Sequence, residues 1–232
     1  MLYQRRGLVT ELSDVNDIQI QKGVEVIKTF NVNSKILLQS FDGHDEIKDK
    51  LLDLINSQEN ESIKHPRLRP EAKYGDNVTR LDWTQSQNFN RPWVEHFLPH
   101  FERNYDKFVD ELGFKGFQLK DMWFQQYEKD DTHGWHIHGE NYTGVYYLEM
   151  PTGPKTQILN DGEITDLQVQ EGDIVIFPSF LVHRAPVVSD NNRKTIISFN
   201  VCFLGTERKD EDDIILQDAM DGFFDLMNGN NA

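Results

Sequence analysis

Apolar residues recur along this chain with two different periods, and the change from one to the other falls between Gly113 and Gly116. Before that point Ile47, Leu51, Leu54 and Ile55 stand at helical spacing, which predicts a helix from about Asp45 to Ser57 started by Asp42 or Gly43. Pro92 suits a first helical turn, and Trp93, Phe97, Phe101, Tyr105, Phe108 and Leu112 form one stripe behind it, predicting a second helix to about Leu112. After Gly116 the period drops to two. MWFQQYE alternates bulky and polar groups, GVYYLEM reads as a compact buried strand, and LQVQ, DIVIFP and TIISFNVCF follow as further strands. Gly172-Asp173 is expected as the tight turn into DIVIFP.

The remaining stretches are less regular. Residues 1–39 read as short strand-like pieces, VEVIKTF and KILLQSF among them. From Gln58 to Asn90 the chain is polar, carries Pro66 and Pro70, and is expected to form a long loop serving as lid, recognition element or surface excursion. From Gly205 onward it is acidic, with a short amphipathic helix expected over Ile214 to Met227 that would dock on the domain or pair two copies as a homodimer.

Length and composition fit one domain over residues 1–232: supporting strands and helices to residue 116, a β-rich catalytic core from 117 to 204, and the acidic tail from 205. Apolar residues make up 38%, enough for a sizeable core. A net charge of -15 argues against nucleic acid or an anionic membrane as partner, because phosphate surfaces attract an excess of Lys and Arg. One cysteine, Cys202, excludes an internal disulfide and fits a reducing compartment. With neither a signal-peptide core nor a run of about 20 apolar residues, a soluble cytoplasmic protein is expected.

Candidate chemistry concentrates in the β-rich half. Residues two apart on a strand share a face, so His136, His138 and Glu140 can look into one cavity, with His183 in FPSFLVHRAP reaching it from a distant strand. Such a facial set leaves coordination positions open, as oxygen-activating non-haem iron requires. His133 is expected in the loop before the strand, and Trp135 in the core or walling the cavity. His96 and His100 are read as ordinary surface or packing residues, since no third ligand stands near them in the sequence. Arg193 and Thr195, on one strand face beyond His183, can grip a carboxylate through paired hydrogen bonds, whereas Lys194 between them is expected to be a surface charge. Asn200 either faces the pocket or lies at a strand edge, and Arg184 and Ser179 flank the distal histidine.

The segments Tyr127 through WHIHGE, then TGVYYL, then EGDIVIFPSFLVHRAPV with RKTIISFN, resemble the iron(II)- and 2-oxoglutarate-dependent oxygenases, especially prolyl-hydroxylase-like and phage or marine bacterial members. The resemblance covers the block from Trp123 to Phe203. It implies a metal held by a His-x-Asp or His-x-Glu pair and a distal histidine. This chain offers two registers for the pair: His136 with His138, giving a three-histidine site with His183, or His138 with Glu140. The spacing to TGVYYL favours the first, with Glu140 the substitute ligand. The resemblance further implies that Arg193 and Thr195 hold the far carboxylate of 2-oxoglutarate and that Tyr127 and Tyr147 place phenols on it.

The fold expected is mainly β with flanking helices (α+β), a double-stranded β-helix or cupin-like jelly roll. The activity expected is that of a dioxygenase using Fe(II), 2-oxoglutarate and dioxygen to hydroxylate a small-molecule or peptidyl substrate, with succinate and carbon dioxide as coproducts. A cupin-like metal-binding or structural protein, or a non-oxidative metal isomerase, would share the barrel. Neither requires a deep carboxylate clamp.

Overall fold

Two long strands, Phe114–Tyr127 and Lys194–Thr206, lie antiparallel in the interior of a seven-stranded sheet, and every other strand is placed by reference to them. The computed structural model describes residues 34–64, 76–151, 155–160, 162–189 and 191–206, which from Lys35 onward belong to one unit. In chain order the elements are β1 (Leu37–Ser40), α1 (His44–Ser57), β2 (Glu61–Lys64), β3 (Asn77–Leu81), a single 3-10 turn (Trp83–Gln85) and α2 (Pro92–Leu112). There follow β4 (Phe114–Tyr127), β5 (His133–His136), β6 (Tyr142–Glu149), β7 (Gln157–Asn160), β8 (Glu163–Asp166), β9 (Asp173–Pro178), β10 (Val182–Ala185) and β11 (Lys194–Thr206). The major sheet runs β1-β9-β6-β11-β4-β3-β2, and a minor sheet runs β5-β10-β7-β8. This is the jelly roll expected from the alternating half of the sequence.

Alternation along β11 divides the core in two. Ile197, Phe199 and Val201 pack with Phe124, Tyr146, Ile174 and Ile176 against the helices, where Ile47, Leu51 and Ile55 of α1 and Trp93, Phe97, Phe101 and Tyr105 of α2 are buried. Ile196 belongs instead to a second cluster with Tyr127, Val145, Tyr147, Ile158, Val175 and Phe177, between the sheets. Gly144 of β6 permits the close approach of these strands, because a Cβ there would run into the Phe199 ring and the Val175 carbonyl oxygen.

Both helices match their sequence patterns. Pro92 opens α2, and Gly113 closes it in the left-handed region, φ 72°, its N–H donating to the carbonyls of Val109 and Asp110. Asp82 ties α2 to the major sheet: its buried carboxylate pairs with Arg91 and accepts from Trp93 Nε1 at 2.9 Å and from the Phe124 N–H at 2.9 Å. Desolvation raises the Asp82 pKa, opposed by the Arg91 charge beside it.

Two local expectations change. The polar stretch 58–90 is not simply a loop, for it contributes β2 and β3, which extend the major sheet beyond β4, as well as the 3-10 turn. LQVQ lies outside the strands, and the hairpin precedes it: β7 pairs with β8, whose residues are all exposed and so carry no apolar period to read. The acidic segment expected to be helical and the VEVIKTF piece lie outside the described residues. Among the described residues no helix is long and apolar enough to cross a membrane.

Candidate metal centre

The two sheets bring His136, His138 and His183 together between them. His183 of β10 stands directly opposite His136 of β5 in the antiparallel register. The strand stops at His136, so His138 reaches the cluster from the following loop, held by its backbone N–H donating to the Ser179 carbonyl at 3.0 Å. One ring nitrogen from each of the three lies within 4.8 Å of the others, a set able to hold a metal ion. Glu140 is outside this set, because the chain has left the strand and the period of two no longer applies.

Hydrogen bonds fix which nitrogen is available. His136 Nδ1–H donates to the Gly134 carbonyl at 2.7 Å and His183 Nδ1–H to the Leu181 carbonyl at 2.8 Å. In neutral imidazoles this leaves both Nε2 lone pairs free, the arrangement in which backbone carbonyls orient metal-bound histidines. Burial lowers all three pKa values, with neighbouring histidines adding to the effect at His138, down to about 4, and at His183, down to about 3. The rings are therefore neutral at physiological pH, as ligation requires.

His133 is not in a loop; it begins β5 and stacks on His136, ring centroids 4.0 Å apart. A bulge in the pairing of β5 with β10, between His183 and Ala185, lets both histidines line the cavity although they are three residues apart. Its nitrogens face other partners. Gln125 Nε2 lies 3.3 Å from Nδ1, and Asp76 Oδ1 lies 3.5 Å from Nε2. An Nε2–H tautomer satisfies both, the opposite of His136 and His183, so His133 supports the cluster from outside it.

Facing the histidines is the inner side of the major sheet, and its register orders the side chains in rows. Lys194 is opposite Tyr127, Ile196 opposite Gln125 and Tyr147, Ser198 opposite Trp123 and Val145, and Asn200 opposite Asp121 and Thr143. Trp123 packs near His138 and Phe177 against His183, so the histidines lie over the Ser198 and Asn200 end. Between them is a small cavity lined by the three histidines with Trp123, Gln125, Tyr127 and Ile196.

Lys194 occupies the far end of this face. It is 3% exposed, not a surface charge, and its ammonium lies 5.7 Å and 5.8 Å from the ring centroids of Tyr127 and Tyr147. Among the described residues no carboxylate is within ion-pair distance, and burial lowers its pKa to about 8. Beside it the Tyr127 hydroxyl is buried without a hydrogen-bond partner among the described residues, whereas the Tyr147 hydroxyl and Thr156 Oγ1 are 2.7 Å apart. Burial raises the pKa of both tyrosines, so both are neutral phenols.

Arg193 and Thr195 do share a face, as expected, but it is the face turned away from the cavity. Arg193 donates to Glu149 through Nε at 2.9 Å and Nη2 at 3.1 Å, and to Asn56 through Nη1 at 3.0 Å. Thr195 Oγ1 donates to the same Glu149 carboxylate at 2.6 Å. The pair expected to hold the far carboxylate of 2-oxoglutarate is instead engaged with the chain's own Glu149. Strand alternation puts Lys194 on the cavity side, and sequence alone did not say which parity faces inward. Arg184 stacks on Trp135, 4.4 Å from its ring, and donates to Gln157 at 2.7 Å.

No family model matches this sequence, and no curated protein matches it. Solved structures do. An oxidoreductase of the 2OG-Fe(II) oxygenase family from Burkholderia pseudomallei superposes with a TM-score of 0.58 at 16% identity, over 75% of this chain and 88% of that one. HygX from Streptomyces hygroscopicus, with nickel and 2-oxoglutarate bound, gives 0.52 at 10% identity over 75% and 84%. A Pseudomonas putida prolyl-4-hydroxylase gives 0.50 at 16% identity over 75% and 93%. At these identities the likeness is one of fold.

Proposed function

We propose that this chain, which has the fold of the 2-oxoglutarate- and iron(II)-dependent oxygenases, is itself such an enzyme, a dioxygenase that hydroxylates a second substrate. The observation that carries the reading is that three imidazoles converge over the inner face of the major sheet, and that the same face ends in a buried ammonium with no counter-ion among the described residues. A metal-binding barrel without this reaction, or an isomerase, has no use for Lys194. A dianion with a chelating 2-oxo acid at one end and a carboxylate at the other complements both groups.

The residues fit the groups they would hold. His136, His138 and His183 offer three neutral nitrogen donors and no carboxylate, so the charge of Fe(II) is left for the cosubstrate dianion to neutralise. At the other end the Tyr127 hydroxyl lacks a partner and the Lys194 ammonium lacks a counter-ion among the described residues. When bound, the iron supplies the activation of dioxygen that couples decarboxylation of 2-oxoglutarate, to succinate and carbon dioxide, with hydroxylation.

The chain's own contribution is binding and orientation. Lys194 and Tyr127 anchor the far carboxylate, which directs the 2-oxo acid end toward the histidines. The Gly134 and Leu181 carbonyls hold His136 and His183 in the ligating tautomer. Val145 and Ile196 line the cavity between these ends and keep water from it.

Anaerobic addition of Fe(II) and 2-oxoglutarate should produce a weak visible charge-transfer band, and admission of oxygen should yield succinate. No band together with no succinate would remove the oxygenase assignment.

A further inference from the structure

We propose that Asp121 and Asn200 form the subsite for the second substrate and that they select a cationic nitrogen, either an ammonium or a guanidinium group. The proposal rests on the oxygenase reading and names the substrate class for it. Asp121 and Asn200 are cross-strand partners on β4 and β11, in the row beyond Ser198 and Trp123 and opposite in direction from Lys194. If the cosubstrate lies between the histidines and Lys194, this row is where the second substrate meets the site.

The row presents acceptors. Asn200 Nδ2–H donates to Asp121 Oδ2 at 3.2 Å, and since a carboxylate only accepts, the amide carbonyl is the edge left over. That Asn200 Oδ1 is buried and has no hydrogen-bond partner among the described residues. Asp121 Oδ1 accepts from Ser86 Oγ–H at 3.1 Å, which leaves the carboxylate further lone-pair capacity. No Lys or Arg among the described residues lies within ion-pair distance of Asp121, and its charge acts on His138. A buried acceptor without a donor is costly, and an anionic neighbour with spare lone pairs makes a multi-donor cation its complement.

The surroundings suit such a group on an aliphatic stem. Ile137 and Phe180, 58% and 62% exposed, flank the histidines on two segments joined by the His138 N–H to Ser179 carbonyl bond. Apolar side chains flanking the histidines, with an acidic pair on the facing sheet, match the side chains of lysine and arginine, whose methylenes lie on apolar surface while the charged head is held. The net charge of -15 draws cations to the molecule as a whole.

Calorimetric titration of the full chain, anaerobic with Fe(II) and 2-oxoglutarate present, tests this. The probes are capped pentapeptides centred on lysine or arginine, the matching norleucine and citrulline peptides, and free lysine and arginine. At least one cationic probe should bind about tenfold or more tightly than its neutral isostere, the value of a charge-assisted hydrogen bond. Whether the peptide or the free amino acid binds distinguishes the two sources. Asp121→Asn should abolish the preference, while a parallel 2-oxoglutarate titration reports that the cosubstrate site is still formed. Equal binding of cationic and neutral probes, or no binding of any cationic probe, overturns the proposal with wild-type protein alone and leaves the oxygenase assignment standing. Failure of wild-type protein to bind 2-oxoglutarate overturns both.

Discussion

Lys194 and Arg193 are adjacent in sequence and opposite in role. Arg193 is partly exposed and fully paired with Glu149, so Arg193→Leu should leave the 2-oxoglutarate Kd within about threefold and cost on the order of 1 kcal/mol of stability in denaturant unfolding. Lys194 is buried and has no counter-ion among the described residues, so Lys194→Met should do the reverse. It should raise the 2-oxoglutarate Kd by about 30-fold or more, while raising Tm of the cosubstrate-free protein by removing a desolvated charge. Because burial lowers the Lys194 pKa to about 8, 2-oxoglutarate affinity should hold steady below that pH and fall by up to about tenfold per unit above it. An affinity flat to pH 10 would show that Lys194 does not hold the cosubstrate.

Among the elements, β5 and β10 illustrate how much a short strand can decide. Each has four residues, and their register alone sets His136 opposite His183, while the bulge beside them brings His133 over His136. Zn(II) or Co(II) should raise Tm of the wild type, reversibly with a chelator, because a ligand bound only by the folded state stabilises it. His183→Ala should abolish that rise, and Glu140→Ala should leave it intact. The helix α1 serves the site only through the sheet it covers. Leu51→Ala in its fully buried stripe should cost about 2–5 kcal/mol in denaturant unfolding without altering the metal-induced shift.

Across the whole molecule, the three neutral histidines couple folding to pH. In the unfolded chain an imidazole takes up its proton near pH 6.5, whereas burial holds His138 neutral to about 4 and His183 to about 3. Between those values the unfolded chain binds more protons, so metal-free protein should lose stability as pH falls from about 6.5 toward 4. Thermal unfolding across that range checks it, and a Tm unchanged down to pH 4 would contradict the burial of these rings.

Much of this architecture was legible in the sequence because it depends on local period. The helical stripe from Trp93 to Phe108 reports a face that must be buried, whatever covers it, whereas Met122 to Tyr127, read as alternating, are buried on both faces of β4. His136 and His183 were legible as polar groups on strands, whereas His138 joins them from the loop after β5, where a period of two does not apply. Sequence could not show whether odd or even residues of β11 face the cavity, because Arg193, Lys194 and Thr195 are all polar and a shift of one residue exchanges the faces. Pairing with β4 and β6 decided it, placing Lys194 against Tyr127 and leaving Arg193 to Glu149. Nor could it show that Asp121 meets Asn200, since that depends on strands far apart in the chain lying in register. Period fixes which residues can share a face, and only tertiary pairing decides which faces meet.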